Sequence, residues 1–229
     1  MTKTLVVVNA GTGDPSSTRL LADRTAQRVA ALAAENGHSV DHERVDIRVI
    51  DLREIAAEVT TALVSQHVGP DLRAALDAVA AADGIIAATP VYAAGPSGLF
   101  TSFFQVLETD SLIGTPVVLA ATAGTGRHAL VADDQMRGMF GYLRAMTVPT
   151  ALFAAPEDWA DAALTARIDR AARELVTLMT SGVTEAVRRG NASRYQTQLG
   201  SPNDTGIRLD SDLMRLAAGG GERTGPRPV

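Results

Sequence analysis

A pair of glycines and three consecutive hydroxyls, in Asn9-Ala10-Gly11-Thr12-Gly13-Asp14-Pro15-Ser16-Ser17-Thr18, have the makings of an anion seat. Asp14 suits an N-cap with Pro15 at the first helical position. Capping requires neither Gly11 and Gly13 before it nor Ser16, Ser17 and Thr18 after it. Helix-start N–H groups beside hydroxyls, with no acidic side chain in the first turn, suit a phosphate monoester. A Walker-type loop would need a lysine that this run lacks, and a dinucleotide fingerprint would need glycine where Ser16 stands. A monophosphate therefore fits better than a triphosphate or a pyrophosphate.

Two further loops carry chemistry. Gly84-Ile85-Ile86-Ala87-Ala88 runs into Thr89-Pro90-Val91-Tyr92 and then Ala93-Ala94-Gly95-Pro96 before Ser97-Gly98-Leu99-Phe100. Pro90 lacks an N–H and turns the chain out of a sheet. Small residues around Tyr92 let backbone approach a flat ligand while the ring packs against it; on its own the stretch reads equally well as a strand-to-helix loop with a buried tyrosine. Ala123-Gly124-Thr125-Gly126-Arg127-His128-Ala129 matches Gly-x-Gly-x-x-Ala, but the ribose-binding acid expected about 20 residues on is missing. The nearest acids, Glu157 and Asp158, follow the next strand. A loop lining a ligand shared with the other two is the better reading, with Arg127 and His128 either meeting that ligand or serving as solvated caps.

The elements that must position these loops alternate. Strands are expected at 4–9, 45–50, 84–89, 116–122 and 148–154, and helices at 15–36, 53–66, 71–82, 97–108, 128–145 and 161–188. This is the pattern of a parallel α/β sheet, which binds ligands at the carboxyl ends of its strands. Ala22, Ala26, Val29 and Ala33 form the buried stripe of the first helix, with Arg19, Asp23, Arg24, Gln27 and Arg28 as polar cover. Leu164, Ile168, Leu175 and Met179 repeat the device in the last, where Asp169, Arg170, Arg173 and Glu174 make a solvated face. Trp159 reads as a plug beneath that helix. Residues 1–188 are expected to form one domain, and 189–229, rich in Gly, Ser, Asn and Asp, a polar extension that is flexible or docks on a partner subunit.

Composition excludes several classes. A net charge of −5 with scattered basic residues argues against nucleic acid or an anionic membrane as partner. The absence of cysteine removes disulfides, thiolate catalysis and cysteine metal sites. His38 and His42 are four apart but lie near a strand start, so no metal site is expected. No apolar run suits a signal peptide or a membrane span, and a cytoplasmic protein is expected.

The three loops, with Ala155-Pro156-Glu157-Asp158-Trp159, together resemble the NADPH-dependent FMN reductase family, in particular the actinobacterial branch often paired with luciferase-like monooxygenases. The resemblance spans roughly residues 3–188. It implies a flavodoxin-like three-layer sandwich, a five-stranded parallel sheet in order 2-1-3-4-5 with helices on both faces, and FMN at its carboxyl edge. It further implies that Gly11, Gly13, Ser16, Ser17 and Thr18 hold the FMN phosphate. Pro90, Val91 and Tyr92 would border the isoalloxazine, and Ala123, Gly124, Thr125 and Gly126 would approach its other side or the ribityl chain. Arg127 and His128 would stand near reduced flavin or the NADPH phosphate, with Arg127 at most assisting and no protein group acting as catalyst. Family members usually carry a serine where this chain has Gly95-Pro96 and a lysine where it has Thr101. The expected activity is hydride transfer from NADPH or NADH to FMN by a homodimer or homotetramer, which could supply a flavin-dependent monooxygenase. Rival readings are a flavodoxin-type electron carrier, a quinone or azo-dye reductase with bound FMN, and a non-catalytic interaction domain.

Overall fold

The computed structural model describes residues 2–36 and 44–191. His38, His42 and all but the start of the expected extension lie outside the described residues. Strand β1 (Thr2–Asn9) leads through the first loop into α1 (Ser17–Asn36), and β2 (Arg44–Asp51) is followed by α2 (Ala56–Ser65) and α3 (Pro70–Ala80). Next come β3 (Gly84–Tyr92), a two-residue β4 (Gly95–Pro96), α4 (Gly98–Gln105) and β5 (Pro116–Thr122). A 3₁₀ turn (Gly126–His128), a π-helical turn (Ala132–Met136) and α5 (Arg137–Tyr142) precede β6 (Met146–Thr147) and β7 (Leu152–Ala154). Another 3₁₀ turn (Pro156–Ala160), α6 (Ala162–Thr180) and α7 (Val183–Asn191) complete the described fold.

The sheet order is β2-β1-β3-β5-β6, with β7 also paired to β5. Those pairings are parallel, and only the short β4 runs antiparallel, against β3. This is the order expected, with two differences that make seven strands instead of five. The β3–β4 hairpin is one. The other is the strand expected at 148–154, which is divided into β6 and β7. Pro149 cannot donate to a ladder, and the break is held by side chains: Thr150 donates from N and Oγ1 to Glu174, each at 2.8 Å. Arg137 donates to the carbonyls of Val148 (2.9 Å) and Pro149 (2.7 Å). Glu174 is thus an anchor and not only a member of a solvated face.

Successive side chains in a strand point to opposite faces, and here both faces are covered. Val6, Val8, Ile85, Ala87, Val117 and Leu119 pack with α2, α3, α4 and α5. Leu5, Val7, Ile86, Ala88, Val118 and Ala120 pack with α1 and α6, where the predicted stripes of both helices are buried. The phenylalanines Phe100, Phe103, Phe104 and Phe140 cluster between α4 and α5, with centroids 4.8 Å apart for Phe104–Phe140 and 4.9 Å for Phe100–Phe104. Trp159 packs on the α1/α6 layer beneath the Arg24 guanidinium, 5.2 Å from its ring centre.

The helix expected at 128–145 is replaced by the 3₁₀ turn, the π-helical turn and α5, and it ends at Arg144 in a left-handed conformation (φ 59°). The one expected at 161–188 is interrupted at Gly182 (φ 72°), a conformation that glycine adopts without steric cost. Its second part, α7, runs to Asn191 and so crosses the expected boundary at 188.

Two outcomes test this packing. Phe104→Ala should cost about 3–5 kcal/mol of unfolding free energy in denaturant titration, the usual range for an emptied aromatic core site. Asp169 bridges α1 to α6, accepting from Arg28 (2.6 Å) and Arg173 (2.8 Å). Bonds from Arg173 and then Arg28 hold its carboxyl below the usual value. Its contribution is therefore complete above the unfolded pKa of about 3.9 and is lost as pH falls through the lower folded value. Asp169→Asn should flatten the acid limb of a Tm–pH curve, with only a small change near neutrality because the pair is partly exposed.

Candidate functional site

The strand ends lie flush: Asn9 is opposite Asp51 and Ala88, Thr89 opposite Ala121, and Thr122 opposite Pro90 and Ala154. The first loop, the hairpin and the glycine loop therefore leave the sheet along one edge.

In the first loop the expected cap moves. The helix begins at Ser17, so Asp14 is not the N-cap and Pro15 is not at its first position. Ser16 takes the cap, its Oγ accepting from Arg19 N at 3.1 Å. Ser17 is exposed, and the N–H groups of Ser17 and Thr18 lie in a first turn where no intrahelical carbonyl precedes them. Thr18 differs from its neighbours. It is buried, and its hydroxyl bonds Thr122 Oγ1 at 2.7 Å, tying α1 to the end of β5. Only its N–H is left for an anion.

Gly11 has a steric reason. A Cβ there would come 2.1 Å from Ser16 Oγ and 3.0 Å from Thr18 Cβ, whereas Gly13 is much less crowded, its nearest neighbour being Pro15 O at 3.3 Å. Beside them is a depression of about 110 Å³ lined by Asn9, Gly11, Gly13, Asp14, Ser16, Arg19, Asp51 and Arg53. Asn9 Nδ2 donates to Asp51 at 2.6 Å, and Arg19 bonds Asp51 (2.7 Å) and Asp23 (2.8 Å). Burial alone would lower the Arg19 pKa, but those two carboxylates outweigh it and hold it above the ordinary value. Arg53, by contrast, makes no side-chain bond among the described residues, so its charge is available. Asn9 opened the glycine-hydroxyl run without a role assigned to it, Asp51 and Arg53 had no local motif to mark them, and Arg19 was read as helix cover.

The hairpin turns through Ala93 (φ 47°) and Ala94 (φ 61°), which puts Tyr92 opposite Gly95. Beneath it Thr89 Oγ1 accepts from Ser97 N at 3.0 Å, and Ser97 Oγ caps α4 by accepting from Phe100 N at 3.3 Å. Pro90 is buried, Val91 half-buried, and Tyr92 is 54% exposed rather than buried. The Tyr92 hydroxyl lies 3.3 Å from Thr12 Oγ1, so the hairpin and the first loop touch.

The glycine loop starts at Ala123, whose N–H donates to Ala154 O at 3.2 Å. Gly124, Thr125, Gly126 and Arg127 are exposed, and a Cβ at Gly124 would meet nothing within 4 Å. Arg127 and His128 sit in the 3₁₀ turn, with no side-chain partner among the described residues. The structure thus gathers all the predicted residues on one edge. Three of them are buried: Gly11, Pro90 and Thr18, whose hydroxyl turns inward to Thr122.

These residues fit a flavin mononucleotide. The depression is lined by Ser16 and the unpartnered Arg53 guanidinium as well as by the carboxylates Asp14 and Asp51, and the exposed Ser17 with its first-turn N–H follows Ser16 directly, which together offer donors for a phosphate. The exposed Tyr92 ring and the open backbone of Gly124 to Gly126 leave the sheet along the same edge. Residues 3–160 match the family model described as NADPH-dependent FMN reductase. The chain belongs to this family. Among its relatives, an FMN reductase (NADPH) of Pseudomonas aeruginosa is 39% identical over 155 residues, 68% of this chain and 78% of that protein. The NADH-dependent FMN reductase SfnE of Pseudomonas putida is 37% identical over 190 residues, 81% and 96% of the two chains. The crystal structure of an oxidoreductase from Corynebacterium diphtheriae has 40% identity and a TM-score of 0.74, over 79% of this chain and 98% of that one. An NADH:FMN oxidoreductase, EmoB, in its apo form shares the fold, with 21% identity and a TM-score of 0.63 over 80% and 94% of the chains. As a flavodoxin-like oxidoreductase of the FMN reductase family, the protein carries its loops where such sheets bind ligands.

Gly11→Ala should force Ser16 off the Arg19 N–H and crowd Thr18. The expected loss is about 1–3 kcal/mol of stability in denaturant titration, with Gly124→Ala, in open space, close to neutral.

Proposed function

We propose that this reductase binds FMN across the three loops and reduces it with NADPH or NADH. The observation that carries the reading is their convergence: the anion seat, the exposed Tyr92 and the open glycine loop share one edge, and Tyr92 reaches Thr12 across it. When bound, the flavin supplies the chemistry, its N5 taking hydride from the nicotinamide C4. The protein's residues bind and orient.

The N–H groups of Ser17 and Thr18 and the hydroxyls of Ser16 and Ser17 donate to the phosphate, and Arg53 adds charge. Gly11 and Gly13 keep side chains out of that seat. Pro90 turns the chain, so that Val91 and Tyr92 border one side of the ring. Ala123, Gly124, Thr125 and Gly126 offer backbone to the other side, and Arg127 with His128 places positive or hydrogen-bonding groups near it. No protein side chain need transfer a proton.

The exposure of Tyr92 and of Gly124 to Arg127 suits a flavin that leaves after reduction, and so a reductase supplying free reduced flavin to a flavin-dependent monooxygenase. Leu130 (73% exposed) and Tyr142 (65% exposed) offer apolar contacts for a homodimer or homotetramer. No helix among the described residues is long and apolar enough to cross a membrane, and we place the enzyme in the cytoplasm.

The test is to follow oxidation of NADPH and of NADH by absorbance with and without added FMN, beside an FMN titration. Turnover that needs FMN is expected; a colourless protein that neither binds FMN nor oxidises either nucleotide overturns the reading. Ser17→Glu, at an exposed position, should abolish FMN binding with little effect on Tm. Arg53→Gln should weaken FMN by about tenfold or more, the usual effect of losing a charge-assisted bond, and leave riboflavin affinity unchanged. Equal losses for FMN and riboflavin would remove Arg53 from the phosphate seat.

A further inference from the structure

We propose that Gln135 is a positioning residue that holds the β3–β4 hairpin, and with it Tyr92, at the angle the flavin site requires. The proposal rests on the reading of Tyr92 as a neighbour of FMN. It begins from a conflict between sequence and conformation. Two-residue hairpin turns with both central residues left-handed are ordinarily built from Asn-Gly, Asp-Gly or Gly-Gly. Here both positions are alanine, Ala93 and Ala94, whose Cβ atoms crowd the backbone in that region. A turn that its own residues disfavour persists only where its surroundings determine it.

The strand pairing beneath it is short. Val91 faces Pro96 and Tyr92 faces Gly95, and Pro96 has no N–H to give. Support from outside the hairpin arrives through Gln135, in the π-helical turn, whose Nε2 donates to Ala94 O at 2.7 Å across 41 residues of chain. The same amide shapes the next position. A Cβ at Gly95 would lie 2.9 Å from Gln135 Oε1, so glycine there lets the side chain reach the turn.

The helical segment carrying Gln135 is itself anchored. Five residues on, Phe140 packs edge-to-face against Phe104, and Phe100 and Phe104 belong to the helix that follows the hairpin. Gln135 thus grips the outer end of a loop whose inner end the phenylalanines fix. Without the grip, the turn can relax away from two left-handed alanines, and the relaxation moves Tyr92 and parts its hydroxyl from Thr12. Because Gln135 is exposed and reaches the site through Ala94, its loss acts on loop order, not on charge or core packing.

The test uses Gln135→Leu, close in shape without the donor, and Gln135→Glu, which sets a carboxylate against the Ala94 carbonyl. Hydrogen exchange of the 91–97 segment in flavin-free protein, FMN titration, Tm and the separate KM and kcat for NADPH are measured. Both variants should keep the wild-type Tm, exchange that segment about five times faster and bind FMN about five times more weakly, as one lost hydrogen bond would give. Glu should be at least as severe as Leu. Exchange of 91–97 at the wild-type rate, or faster exchange with unchanged FMN affinity, overturns the positioning role while leaving the flavin site intact. A fall in Tm matched by faster exchange throughout the protein also overturns it, in favour of a general structural role. Wild-type protein that takes no FMN overturns the flavin site, and this proposal with it.

Discussion

Side chains of β1, β3 and β5 alternate between two buried layers, one against α1 and α6 and the other against α2 to α5. A polar group inside such a strand would have neither water nor a partner on either side, and its desolvation would be uncompensated. The middles of the central strands, Leu5 to Val8, Ile85 to Ala88 and Val117 to Ala121, are accordingly Val, Ile, Leu and Ala. The polar groups of the candidate site stand where those strands stop. The location of the site is thus a result of double-sided burial before it is a matter of which residues occupy it.

The transition from apolar strand to polar loop is managed by local saturation. Thr18 meets Thr122, Thr89 meets Ser97, and Asn9 meets Asp51, which in turn meets Arg19. Among the described residues no buried side-chain nitrogen or oxygen lacks a partner. These bonds lock the strand ends to the helix starts and remove their own groups from availability. What is left to a ligand is mostly backbone N–H, exposed hydroxyl and guanidinium on the loops above. That division suits a fold whose bound cofactor performs the reaction and whose protein supplies position.

The same logic explains what was legible in the sequence. Unbroken apolar runs marked β1, β3 and β5, and periodic stripes marked α1 and α6, because burial is written locally. Glycines and hydroxyls after strands marked the three loops for the same reason. Long-range features were not legible: Glu174 bonding Thr150 and Arg137 gripping Val148 and Pro149 divide the fifth strand, and no residue near 149 reveals both. Asp14-Pro15 has the composition of a helix start, yet the cap is Ser16. Thr18 looked the equal of Ser16 and Ser17, and only the partner 104 residues away turns its hydroxyl inward. Arg53 and Gln135 escaped notice because each meets the site from another element.

The division of the fifth strand has a consequence beyond the site. A sheet's outer strands carry a row of unpaired N–H and C=O groups that another chain can extend. At one border here the row is cut into pieces of two and three residues, separated by a proline whose carbonyl is already occupied by Arg137. At the opposite border β2 presents Arg44, Asp46 and Arg48. Neither border is a flat apolar template for strand addition. Among the described residues neither border favours strand addition between copies of this chain, which leaves helices and loops as the surfaces for any association.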